Sequence, residues 1–157
     1  MPLTLDDLLG GLERSREHFL KHVDGLDDDQ WDFKPFPECK SIRETLQHLV
    51  VDDRAALNSL RSGEEPDYEA GACNETDIDT LRTLLDQSHQ ALLNDIRARY
   101  ANSPLDADIC VWGSHEKVGA GIPYFSSEDF YHAGQVAFIR MASDPEWDYY
   151  DAIFGGE

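Results

Sequence analysis

Apolar residues recur every three to four positions along three long stretches of the chain, with charged residues between them. In residues 4–24, Leu5, Leu8, Leu9, Leu12, Phe19 and Val23 fall on one stripe, which predicts an amphipathic helix. Thr4 is placed to cap its start, Asp6 and Asp7 suit the positive end of its dipole, and "DGLDDDQ" ends it. A second helix opens at "SIRE", a capping box in which Ser41 caps and Glu44 reaches back. Its stripe is Ile42, Leu46, Leu49, Ala56, Leu57 and Leu60, and Gly63 closes it. The turn-rich "EEPDYEAGACNE" follows. The third helix is expected from about Asp77 to Tyr100, on Ile78, Leu81, Leu84, Leu85, Leu92 and Ile96, with Pro104 unable to continue it.

Residues 106–124 break the helical period. "ICVW" and "VGAGIPY" are short apolar runs around Gly-Ser-His-Glu, which predicts a small hairpin or an irregular flap. A fourth helix is expected from Ser126 or Ser127 to about Ala142, with Asp129 near its N3 position. The tail "SDPEWDYYDAIFGGE" carries Trp147, Tyr149, Tyr150, Ile153 and Phe154, which call for packing across the domain or against a second subunit. Four long helices with little strand predict an all-α four-helix bundle, one domain over residues 1–157, with the hairpin or irregular insertion before helix four.

Charge narrows the set of partners. The 157 residues hold 32 acidic and 13 basic side chains, a formal net charge of −19. Such a surface repels nucleic acid and anionic bilayers, so neither is expected as a partner. No run of 18 apolar residues occurs and the N-terminus has no basic leader, so a cytoplasmic protein is expected. The acids are mostly Asp and the bases mostly Arg, compatible either with a salt-rich cytoplasm or with ordinary solubility. Three cysteines, Cys39, Cys73 and Cys110, without a CxxC, suggest neither a disulfide framework nor a zinc ribbon.

The candidate chemistry lies in two helices. Glu128 and His132, four residues apart, share one face of helix four, and the stripe of helix two brings His48 inward. A carboxylate entering an apolar core is costly unless a cation offsets it. His48, Glu128 and His132 therefore form a candidate two-histidine, one-carboxylate metal set with an open position, for which Zn²⁺, Ni²⁺ and Fe²⁺ all fit. Asp52 and Gln135 are candidates to support those ligands from behind, and Asp52 alternatively to be a ligand itself. Each residue also has an ordinary reading: His48 as a packed histidine, Glu128 as a first-turn acid satisfying the helix dipole. His115, Trp112 and Tyr124, on or beside the flap, could line a pocket mouth. His18, His22 and His89 sit among charged neighbours and read as surface residues. A ferritin-like di-iron site needs Glu-x-x-His on two helices, which Asp129 and His132 imitate only in part.

"SIRETLQHLVVDD" and "YHAGQVAFIR" resemble the second and fourth helices of the DinB/YfiT-like bundles, with their "SIxExLxHL" and "HxGQ" patterns. "LDDDQWDFKPFPECK" resembles the stretch before that second helix. The resemblance implies a down-up-up-down bundle, often a homodimer, with a divalent metal held by three histidines. His48 and His132 match two of them, while Glu128 stands where the third would be. It further implies a metal-dependent enzyme acting on small electrophiles, a transferase using a low-molecular-weight thiol or a hydrolase-like protein. The alternative is a metal-free protein that binds a small ligand or partner at a degenerate site.

Overall fold

The computed structural model describes residues 1–155. Helix α1 spans Leu5–His22, α2 Ile42–Ser62 and α3 Ile78–Tyr100. Strands β1 (Asp108–Val111) and β2 (Ser114–Lys117) precede α4 (Val118–Ser143) and a short α5 (Tyr149–Phe154). The helix starts follow from local chemistry. Thr4 and Ser41 each accept the N3 amide while Asp7 and Glu44 return the bond, and Asp77 caps α3 through the Thr80 amide. Gly63, at φ 75°, closes α2 in the left-handed conformation that glycine adopts without a Cβ penalty.

Two apolar clusters fix the direction of every helix. One joins Leu8, Leu9 and Leu12 to the C-terminal halves of α2 and α3, at Leu60 and Ile96, and to Ile122 and Phe125 early in α4. The other joins Phe19 and Val23 to Ile42, Leu46, Leu81 and Leu85, early in α2 and α3, and to Val136 and Ile139 late in α4. Helices α1 and α4 therefore run one way and α2 and α3 the other, the down-up-up-down order. The parallel α2–α3 step uses the long connection 63–77 as its crossover. Packing is most extensive between α1 and α4 and between α2 and α3; α2 meets α4 much more sparsely, which leaves a groove between them.

The start of α4 corrects the sequence expectation. The helix begins at Val118, not at Ser126 or Ser127, and "VGAGIPY" forms its first two turns rather than a strand. The amides of Val118 and Gly119 donate to the carbonyls of Ala107 (2.9 Å) and Leu105 (2.8 Å), which anchors the helix start on the preceding loop. Gly121 allows close approach: a Cβ there would lie 2.8 Å from Ile109 Cγ2 and 3.0 Å from Val111 Cγ2. Pro123 then forfeits one helical bond near the N-terminus, on the exposed side. The Ser126 and Ser127 hydroxyls, instead of capping, donate back to the carbonyls of Pro123 and Tyr124.

The hairpin itself is present but shifted. β1 and β2 pair antiparallel from Asp108↔Lys117 to Val111↔Ser114, turning at Trp112 and Gly113. Both turn residues have positive φ, 45° and 83°, as a two-residue hairpin turn requires. Ile109, Cys110 and Val111 are buried against the bundle. The tail folds as α5 across α1, burying Ile153. No helix among the described residues is long and apolar enough to cross a membrane.

Two histidines read as surface residues are in fact buried. His22 lies near Tyr149 of the tail with Nδ1 2.8 Å from the His18 carbonyl, and His89 lies against Asp53 inside the bundle. The polar residues beside them, Lys21 and Gln90, are the exposed ones, because adjacent helical residues are about 100° apart around the axis.

Candidate metal centre

Antiparallel α2 and α4 place their i,i+4 pairs opposite one another. His48 and Asp52 project from α2, Glu128 and His132 from α4, and one ligand atom from each lies within 4.8 Å of all the others. His48 Nε2 is 3.1 Å from Asp52 Oδ2, His132 Nε2 is 3.2 Å from Glu128 Oε2, and His48 Nε2 is 4.0 Å from Glu128 Oε2. The two imidazoles meet edge to face with ring centroids 4.8 Å apart. Asp52 and His132 are buried, while His48 and Glu128 are about one-third exposed on the groove side.

Close as they are, these atoms do not satisfy one another. Asp52 Oδ2 and His132 Nε2 are buried and have no hydrogen-bond partner, although both have neighbours near 3 Å. Both belong to the four ligand atoms that lie within 4.8 Å of one another. Gln135 Oε1 stands 2.8 Å from His132 Nδ1, which sets the ring proton on Nδ1 and frees the Nε2 lone pair. A buried donor atom without a partner is costly, and a cation among the four would satisfy them together. The donor set thus fits a divalent metal. Asp52 Oδ2 is one of the four clustered ligand atoms, while the next residue, Asp53, turns to Arg16.

Electrostatics within the set point the same way. Burial, and then the negative charge of Glu128, push the Asp52 carboxyl up to about 8. Burial and the charge of His132 lower His48 and favour the neutral, ligating imidazole. Two carboxylates and two imidazoles share a space with no basic side chain inside it; Lys40 acts on His48 and Asp52 only from the rim.

The position of Glu128 settles one ambiguity. With α4 beginning at Val118, Glu128 is three turns into the helix, so the helix dipole gives no reason for its charge to be there. Beside the cluster, a cleft of about 500 Å³ opens along the groove, walled by Phe36, Cys39, Lys40, Tyr131 and Phe138. The structure does not bring Trp112, His115 or Tyr124 to it. Trp112 packs on Phe125, and His115 and Tyr124 are exposed, all at the end of the bundle where the hairpin sits.

A second polar group went unnoticed in the sequence. Arg16 of α1, buried, donates from Nε to Asp129 (2.8 Å) and from both Nη atoms to Asp53 (3.0 Å each). Ser15 and Ser88 add hydroxyl bonds of 2.8 Å to Asp129 and Asp53. Burial opposes the Arg16 charge, but the two carboxylates outweigh it and hold its pKa above the ordinary value. The signal available was the pair of acid doublets, Asp52-Asp53 and Glu128-Asp129, on the two helices that carry the candidate histidines.

The family model of the DinB superfamily matches residues 11–136, which include all four donors and Arg16. No curated protein matches the chain.

Proposed function

The chain belongs to the DinB superfamily, and on that premise we propose that it binds one divalent cation through His48, Asp52, Glu128 and His132 and uses it on a small molecule held in the adjoining cleft. The observation that carries this reading is the pair of buried donor atoms, Asp52 Oδ2 and His132 Nε2, left without partners at the centre of the set. Two carboxylates balance the charge of a divalent ion. Four protein donors favour a six-coordinate ion such as Ni²⁺ or Fe²⁺, which keeps positions free, over tetrahedral Zn²⁺, which four donors would fill. A cation there supplies Lewis acidity, the means by which a thiol or a water becomes nucleophilic near neutral pH.

The chain's own residues do the remaining work. Gln135 keeps His132 in the ligating tautomer. Phe36, Tyr131 and Phe138 offer apolar walls to the body of a substrate, and Lys40 offers a positive charge to an anionic group on it. A small electrophile is the substrate class this reading takes, attacked by a low-molecular-weight thiol in a transferase or by water in a hydrolase-like protein, the reactions that the sequence resemblance implies. The test is metal analysis after gentle purification and a titration with Ni²⁺ and Fe²⁺ under anaerobic conditions. One ion per chain is expected in the wild type and none in His48→Ala or His132→Ala. A folded wild-type protein that takes up no ion ends the proposal.

A further inference from the structure

Asp52 and Asp53 are neighbours on α2, and Glu128 and Asp129 are neighbours on α4. Within each doublet the two carboxylates aim in different directions, because consecutive helical residues diverge by about 100°. One member of each doublet enters the donor set. The other is gripped by Arg16, bidentately at Asp53 and singly at Asp129. Arg16 therefore spans the two helices that carry the donors, one residue away from a donor on each side. Between the two apolar clusters, the direct packing of α2 on α4 is sparse compared with α1–α4 and α2–α3.

We infer that Arg16 is a positioning residue for the metal site: its guanidinium, with Ser15 and Ser88, sets the spacing and rotation of α2 against α4 so that the four donors converge. The inference rests on the metal reading above. A planar fork fixes the relative placement of two carboxylates in a way that a point charge does not. Arg16 also neutralises one charge of the interior acid pair, so the donor pair is left to recruit its own cation. Arg16 touches neither donor nor cleft, and its effect is exerted only through the helix backbones.

The test compares Co²⁺ binding in the full chain for the wild type and Arg16→Lys, by affinity and by the visible absorption bands, which report coordination geometry. Arg16→Lys keeps the charge and loses the fork. Circular dichroism and cooperative unfolding establish that it is folded. Groups that hydrogen-bond metal ligands directly typically govern affinity by 10–100-fold, and Arg16, acting one residue further out, belongs at the low end of that range. A weakening of at least tenfold with shifted or weakened bands is expected. Should Arg16→Lys not fold, Ser15→Ala combined with Ser88→Ala removes the hydroxyls that orient Asp129 and Asp53. That variant is expected to bind Co²⁺ at least threefold more weakly with altered bands. A folded variant with wild-type affinity and an unchanged spectrum overturns the inference and leaves the metal reading standing. A wild type that binds no Co²⁺ overturns both.

Discussion

Replacing Asp52 by Asn, which has the same shape but no charge, should stabilise the metal-free protein at alkaline pH and weaken its response to metal. The Asp52 side chain is 8% exposed, its Oδ2 has no partner, and Glu128 lies beside it. Its carboxyl is pushed from 3.8 up to about 8. Between those values the native protein holds a proton that the unfolded chain has released. Stability without metal therefore falls as pH rises through the window and levels off above about 8. The ceiling is about 1.4 kcal/mol per pH unit. Partial solvent access screens the pair, so about 2 kcal/mol between pH 5.5 and 8 is the reasonable magnitude. The amide of the Asp52→Asn variant has no proton to release in this range. At pH 8 in EDTA, Asp52→Asn should melt about 4–8 °C above the wild type, at roughly 2–4 °C per kcal/mol for a chain of this size. With saturating Ni²⁺ the order should reverse, because the wild type gains more from binding. Thermal unfolding by circular dichroism at pH 5.5, 7 and 8, with EDTA and with Ni²⁺, reads both effects. Parallel stability–pH curves for the two metal-free proteins would refute the claim that the donor carboxylates are crowded and unpaired.

Acid should act in the reverse sense on the interior pair. Burial alone would raise Asp53, but Arg16 more than offsets it and holds the carboxyl below its ordinary value, so its contribution to stability is present above pH 3.8 and lost as pH falls further. Asp53→Asn should flatten the acid limb of urea unfolding measured between pH 2 and 4.5; an unchanged limb would show that Asp53 titrates normally. Gly121→Ala should cost about 1–3 kcal/mol in chemical denaturation, because its Cβ would meet Ile109, Glu116 and Val111 within 3.0 Å; a neutral outcome would mean that α4 can lift off the hairpin freely. Ser41→Ala removes the cap of the helix that carries His48 and Asp52, and should cost about 1 kcal/mol while leaving the stoichiometry of metal uptake at its wild-type value.

The sequence makes the helix ends and buried faces legible, because these are local matters. Thr4, Ser41 and Asp77 announce three starts, Gly63 a stop, and the Leu and Ile stripes the buried faces, because capping and amphipathic periodicity need only neighbours in the chain. It also paired Glu128 with His132 and pointed His48 inward, since i,i+4 spacing on one helix is a fixed geometry. The rest follows from long-range packing. "VGAGIPY" has the composition of a break, and it is helical because the hairpin receives the bare surface of Gly121. That docking moves Glu128 from the first turn of a helix to its interior, which changes the meaning of its charge. Which of Asp52 and Asp53 joins His48, Glu128 and His132, and the burial of Arg16 against two other acids, depend on the rotation of four helices about one another. No local pattern encodes that rotation; it follows from how the two apolar clusters pack at either end of the polar layer between them.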